Sequence, residues 1–76
     1  MNPEIGDVAG KVWNALGKRG ELSVAQLPLL LKIKGEMVYQ GLGWLAREGK
    51  VQYRQENSKN FVSLAESELS AFNPVH

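Results

Sequence analysis

The eight residues GWLAREGK, positions 43–50, mark the point where one structural pattern of this chain gives way to another. Apolar residues before it recur at three- and four-residue intervals, the spacing of one buried helix face: Val38, Leu42 and Leu45. After it, Val51 begins an alternation of apolar and polar residues that is typical of a half-buried strand. Gly49 supplies a helix C-cap between the two patterns. The stretch therefore predicts a helix over about residues 35–48 that leads directly into strands.

The segment after this helix predicts a β-hairpin, with strands over about residues 50–55 and 60–65. Between them, residues 56–60 have the polar composition of a turn. Tyr53 and Phe61 are expected to pair across the two strands and to fasten the hairpin to the helices.

The beginning of the chain predicts an amphipathic helix over about residues 3–17. Its apolar positions follow the helical repeat: Ile5, Val8, Val12 and Leu16. Ala9 and Trp13 widen this face, and Gly17 and Gly20 are expected to end the helix.

A second helix is predicted over about residues 24–32, with Ser23 as its N-cap and Pro28 in its second turn. Gln26 follows Ser23 at the spacing of a capping box. The two residues before Ser23 fit a very short strand, and residues 66–72 fit a short final helix.

Three helices followed by a hairpin is the element order of a winged helix-turn-helix fold: a mainly α three-helix bundle with a small antiparallel β-hairpin as its wing. The chain resembles a family of short, uncharacterised bacterial and archaeal winged helix-turn-helix proteins. The resemblance covers nearly the whole chain, and its motifs are these: Ile5-Gly6, Ala9-Gly10, Val12-Trp13, residues 22–27, Lys32-Ile33, Val38-Tyr39 and residues 42–50. It implies a transcription-regulator-like, DNA-binding role without indicating a particular process.

The resemblance implies that the third helix would lie in the major groove of DNA and that the hairpin would touch the backbone. The groove-facing positions would then be Gly35, Glu36, Tyr39, Gln40 and Gly43. Among these, Gln40 is the usual kind of base reader, whereas Glu36 has the wrong charge for a phosphate. Tyr39 follows a buried position and is expected to point sideways or outward.

Basic residues flank this helix and could hold phosphates without reading sequence: Lys32, Lys34, Arg47, Lys50, Arg54 and Lys59. The alternative is that each is an ordinary solvated charge balanced by Glu36, Glu48 or Glu56. Nine basic and eight acidic residues give a net charge of only +1, whereas DNA-binding modules usually carry a clear basic excess.

A protein-interaction or homodimerisation module is the alternative function. Leu29, Met37 and Trp44 are its interface candidates, because they exceed the apolar surface that a three-helix core needs. Trp13 and Trp44 are nevertheless expected mainly in the core.

Catalysis has no candidate residues in this sequence, and neither a metal nor another cofactor is predicted. The chain has no cysteine, and its single histidine is the last residue, His76. No histidine is available to activate Ser23 as a nucleophile. The sequence shows no signal peptide or membrane-spanning run, so we expect a single cytoplasmic domain over residues 1–76, with DNA as its partner or a protein partner as the alternative.

Overall fold

The computed structural model describes residues 3–72, so His76 lies outside the described part. Within these residues, four α-helices and three strands follow one another: α1 (Pro3–Arg19), β1 (Leu22–Ser23), α2 (Leu27–Leu31), α3 (Gly35–Arg47), β2 (Val51–Glu56), β3 (Lys59–Leu64) and α4 (Glu66–Phe72). A 3-10 turn, Val24–Gln26, connects β1 to α2. The predicted fold class is confirmed, including the short final helix.

Helix α1 is two residues longer than predicted, because Gly17 continues the helix and Gly20 ends it. Gly20 has a φ of 80°, and its N–H donates to the carbonyl oxygen of Leu16 at 2.8 Å. This left-handed conformation suits glycine and satisfies one of the last carbonyl groups of the helix.

The second helix begins later than predicted, and the predicted capping box is wrong. Ser23 lies in β1, and its side chain makes no capping hydrogen bond. Pro28 lies in the first turn of α2 rather than the second. Since proline lacks an N–H, the first turn is where it removes no helical hydrogen bond, which explains why the α-helix starts at Leu27.

Helix α3 packs directly against α1, and Gly41 makes the close approach possible, as expected. A methyl group at Gly41 would lie 3.2 Å from the backbone nitrogen of Ala9 and 3.2 Å from Cγ1 of Val8. The predicted buried positions on this helix, Val38, Leu42 and Leu45, are all buried.

The three strands form an antiparallel sheet in the order β1-β3-β2, so the very short strand before the second helix is confirmed. The hairpin turn is shorter than predicted and consists of Asn57 and Ser58, which have φ values of 50° and 68°. Two consecutive positive φ values are what a two-residue type I′ hairpin turn requires. Lys59 therefore belongs to β3, opposite Glu56.

The predicted pairing of Tyr53 with Phe61 is wrong. Tyr53 lies opposite Val62, and Phe61 lies opposite Arg54. Because neighbouring residues of a strand point to opposite faces, the two aromatic rings lie on different sides of the sheet.

The core lies between α1, α2, α3 and the inner face of the sheet. Its buried apolar residues are Val8, Ala9, Val12, Leu16, Leu27, Val38, Leu42, Leu45, Val51, Val62 and Leu64. Trp13 and Trp44 are half-buried and pack against this cluster. The indole N–H of Trp13 donates to Oε1 of Glu68 at 2.8 Å, which ties α4 to α1.

Candidate nucleic-acid interface

The side of α3 that faces away from the core is open to solvent. Its members share one stripe along the helix, which we call the outer stripe: Glu36, Tyr39, Gln40, Gly43 and Arg47. They recur at intervals of three and four residues, so an α-helix places them on one side. In the part of the chain that the structure describes, none of these side chains forms a hydrogen bond or an ion pair. The outer stripe is therefore free to meet a partner.

Tyr39 is the large apolar member of the outer stripe and points outward, as its position after Val38 predicts. Half of its surface, 50%, is exposed. Its ring lies over Gly35: a methyl group placed on Gly35 would be 3.5 Å from Cε2 of Tyr39. Gly35 is half-buried by this contact and leaves the tyrosine ring as the exposed surface.

A groove of about 720 Å³ separates Tyr39 from the hairpin. Its hairpin wall runs from Ser58 to Phe61 and includes the exposed Lys59, while Gln26 lies on the opposite wall. We call it the wing groove. Most of its polar groups are neutral hydroxyl and amide groups, so its chemistry suits hydrogen bonding more than strong charge attraction.

Arg54 on the hairpin is held by two carboxylates of the same chain. Its Nε and Nη2 donate to the two oxygens of Glu21 at 3.0 and 2.6 Å, and Nη1 donates to Oε1 of Glu56 at 2.6 Å. The guanidinium also lies 4.7 Å from the ring centre of Phe61. The arrangement joins β2 to the residue before β1 across the middle strand, and we call it the Arg54 clamp.

The Arg54 clamp changes the acid–base properties of its members. The hydrogen bonds that Arg54 donates lower the pKa of Glu21, and the acceptance of these bonds by Glu21 and then Glu56 raises the pKa of Arg54. Within the clamp, the charge of Arg54 is therefore offset by carboxylates of its own chain. The remaining sheet aromatic, Tyr53, donates weakly to the carbonyl of Leu42 at 3.4 Å, and burial raises its pKa.

The other predicted basic residues are distributed over separate surfaces. Lys50 lies beside Trp44, with Nζ 5.6 Å from the ring centre, in a hollow that faces α1 and α4. Lys32 and Lys34 surround a different hollow together with Lys11 of α1. Arg47 alone is on the outer stripe, and Lys59 alone is on the wing groove.

The three apolar interface candidates also differ in exposure. Leu29 is 81% exposed. Met37 and Trp44 are half-buried and pack against the core of their own chain.

Sequence reasoning missed Glu21 and Lys11. Glu21 is 33 residues from Arg54 along the chain, and their ion pair depends on the sheet order, which no local spacing reveals. Lys11 meets Lys32 and Lys34 because α1 packs beside the turn between α2 and α3.

Metal chemistry and membrane insertion have no support within residues 3–72. There, no three histidine, cysteine or acidic side chains gather in a way that could hold a metal ion. Likewise, no helix in this range is long and apolar enough to cross a membrane.

Helices α2 and α3 form a helix-turn-helix that packs against α1. The hairpin of β2 and β3 follows and pairs with the short strand β1, which defines the winged helix-turn-helix class. Residues 1–64 match the model of a family described as Winged helix-turn-helix domain (DUF2582). The chain belongs to this family, and the resemblance found in its sequence is confirmed.

Known proteins with similar sequences or structures are consistent with this class. The chain is 34% identical over 64 residues to MJ1608, an uncharacterised protein of Methanocaldococcus jannaschii, covering 80% of this chain and 90% of that protein. The transcriptional regulator HlyU from Vibrio vulnificus has a similar structure, with a TM-score of 0.74, 28% identity, and coverage of 84% of this chain and 67% of HlyU. Protein BT2368 from Bacteroides thetaiotaomicron gives a TM-score of 0.75 at 32% identity, covering 82% of this chain and 76% of that protein.

Proposed function

We propose that this chain is a DNA-binding, transcription-regulator-like module that places α3 in the major groove of duplex DNA. The observation that carries the proposal is the outer stripe, a row of exposed side chains without partners of their own on the helix that this fold uses for recognition. The likeness to HlyU, a transcriptional regulator, supports the same role.

The side chains of the outer stripe have distinct uses against a base-pair edge. The amide of Gln40 can donate to N7 and accept from N6 of adenine, and the carboxylate of Glu36 can accept from N4 of cytosine. Gly43 has no side chain, which lets a DNA strand approach the helix closely. The carboxylate of Glu36 is repelled by hydrogen-bond acceptors on the bases. It therefore adds sequence preference and lowers the affinity for duplexes that place an acceptor there.

Phosphate contact falls to Arg47 on the outer stripe and Lys59 beside the wing groove. Arg54 stays in its clamp and stiffens the hairpin, because moving it to a phosphate would leave Glu21 and Glu56 without their partner. Two phosphate contacts predict a salt slope, d log K/d log[salt], of about −1.8 on B-DNA. Binding to DNA of arbitrary sequence is then weak, and its affinity falls about 12-fold between about 50 and 200 mM salt, less than for proteins with many phosphate contacts.

A fluorescence-anisotropy titration tests the proposal with a labelled random duplex of about 25 base pairs at about 50 and 200 mM salt. We expect Arg47→Ala to weaken binding and to make the slope shallower by about 0.9, the contribution of one phosphate contact. Arg19→Ala is the matched control, since it removes the same charge from the end of α1 and should leave the affinity unchanged.

Two results would contradict a recognition role for α3. One is the absence of binding at about 100 μM and low salt, which is weaker than ordinary non-specific affinity. The other is an equal loss of affinity in the Arg19 and Arg47 variants, which would place the DNA on another face. The variant Glu36→Gln provides a further test of α3. It should strengthen binding to random duplexes and reduce the preference for one DNA sequence over another.

The proposed role is non-enzymatic, since binding through the outer stripe requires no reacting group. Homodimerisation is the alternative from the sequence, and Leu29 is the exposed residue among its three candidates. We propose instead that Leu29 belongs to a surface for a different protein.

A further inference from the structure

A groove between α1 and α2 gathers most of the positive charge of the chain. Two adjacent hollows form it: one lies beside the turn before α3, and the other lies between the end of α1 and α2. Lys11 lines both hollows, so they adjoin each other at this side chain. The groove is bordered by five of the nine basic residues of the chain: Lys11, Lys18, Arg19, Lys32 and Lys34.

Among the described side chains, little negative charge lines the same groove. Asp7 is the acidic residue among those that line it. None of the five cations forms an ion pair within residues 3–72, where Arg54 accounts for the ion pairs. These five cations are therefore available to pair with a negatively charged occupant.

Leucine side chains form the apolar part of this surface. Leu31 and Leu30 line the hollow beside Lys18 and Arg19, and 36% of Leu30 is exposed. Leu29 follows on the adjoining side of α2 and is 81% exposed. An apolar strip beside clustered cations is complementary to a segment that carries both carboxylates and apolar side chains.

We propose that the α1–α2 groove binds an acidic amphipathic segment of another protein. The groove extends about 18 Å along α1 from Asp7 to Arg19, which matches about 12 residues of helix. Carboxylates of the segment pair with the cations, and its apolar side chains cover Leu29 and Leu30. A second copy of this chain does not fit, because a symmetric contact would bring the two sets of cations together.

Duplex DNA fits this groove less well than the outer stripe. Phosphates would satisfy the cations but would leave the leucines without an apolar partner. The surface is also shallow, so a helical segment can lie along it with one apolar and one charged face in contact. The inference is independent of the proposed function, because it uses a different face and a different class of partner.

An NMR titration of the ¹⁵N-labelled full chain provides the test, since chemical shifts detect even weak binding. The probe is a synthetic peptide of about 15 residues with glutamates on one helical face and leucines on the other. Two control peptides have every glutamate replaced by glutamine or every leucine by alanine. We expect saturable shifts confined to α1, α2 and the turn before α3, with at least fivefold weaker binding of each control peptide.

Variants of the protein separate this surface from its alternatives. The triple variant Lys11→Gln, Lys18→Gln, Arg19→Gln should weaken peptide binding at least tenfold, and Leu29→Ala with Leu30→Ala at least threefold. The matched control Arg47→Gln should bind the peptide normally. Leu29 and Leu30 are exposed, so their truncation should leave the fold intact, which the shift dispersion of the free variants will verify.

Three outcomes would overturn the inference. The peptide could fail to shift any resonance, its affinity could be unchanged in the triple variant, or the triple variant could lose affinity for duplex DNA rather than for peptide. The last result would assign the groove to nucleic acid, with a salt slope near −4.5 if all five cations met phosphates. Loss of DNA binding in Arg47→Ala bears on the outer stripe alone, so the two proposals can fail separately.

Discussion

Replacing Gly41 by alanine tests how closely α1 and α3 must approach. Glycine costs an interior helix position about 1 kcal/mol relative to alanine, so the substitution alone would stabilise the protein by that amount. At Gly41 the new methyl group would meet Cγ1 of Val8 and the backbone nitrogen of Ala9, both at 3.2 Å. Since the nitrogen belongs to a helix backbone, it cannot move unless α1 moves with it.

The expected change in the free energy of unfolding follows from comparing two glycines of the same helix. Gly43 lies two residues further along α3, is exposed, and has nothing within 4 Å of the position of a methyl group. We expect Gly43→Ala to raise the free energy of unfolding by about 1 kcal/mol. Overpacking a close contact costs about 1–3 kcal/mol, so Gly41→Ala should range from neutral to about 2 kcal/mol destabilising.

Urea unfolding followed by circular dichroism and tryptophan fluorescence measures both variants. With an m-value of about 1 kcal/mol/M, their midpoints should differ by about 1–3 M. In thermal unfolding, each kcal/mol corresponds to about 4–8 °C for a domain of this size. Equal midpoints would refute the reasoning, because the intrinsic helix preference is the same at both sites. In a double-mutant cycle, Val8→Ala should cost less in the Gly41→Ala background than in the native chain, because it removes one of the two close contacts.

Three further predictions concern the hairpin, the Arg54 clamp and the oligomeric state. Ser58→Gly should raise the free energy of unfolding by about 1 kcal/mol, because a non-glycine residue with positive φ is strained and Asn-Gly is the preferred type I′ turn. The control is Asn60→Gly within β3, which should destabilise the protein in the same urea unfolding experiment. Arg54 lowers the pKa of Glu21, so the clamp stabilises the folded state above the ordinary glutamate pKa and loses this effect as pH falls through the lowered value. The difference in unfolding midpoint between the native chain and Glu21→Gln should therefore be present at about pH 7 and shrink as pH falls below the ordinary glutamate pKa, and a constant difference would contradict the ion pair. Light scattering should give a mass near 8.4 kDa across concentrations, and a mass of twice that value would revive the homodimer.

The sequence predicts the fold well because each element carries a local signal. The buried face of α3 follows from the spacing of Val38, Leu42 and Leu45, and all three are buried. The predicted start of the second helix was less accurate, because Ser23 and Gln26 fit a capping box while Pro28 restricts where an α-helix can begin. Both signals are local, and the proline constraint prevailed, so the chain forms a 3-10 turn before α2.

The hairpin shows a different limit of sequence reasoning. Composition identified a turn within residues 56–60 but could not fix which two residues form it. Each shift of register changes which side chains share a face, so Tyr53 and Phe61 were predicted to pair although the actual register separates them. The partner of Arg54 was beyond local reasoning for the same reason, since Glu21 reaches it through the order of three strands.

The near-neutral charge of the whole chain conceals an uneven distribution of its basic residues. Five of the nine border the α1–α2 groove, where Asp7 is the acidic residue among the described side chains of the lining. Helix α3 and the hairpin therefore lack a clear basic excess on the face that we propose for DNA, and Arg54 is already paired with two carboxylates in its clamp. We expect weak DNA binding by this face, because the cations that would strengthen it lie on α1 and on the turn before α3. Those cations become one surface only when α1 packs beside that turn, so the distribution of charge is a property of the fold and not of any one segment of the sequence.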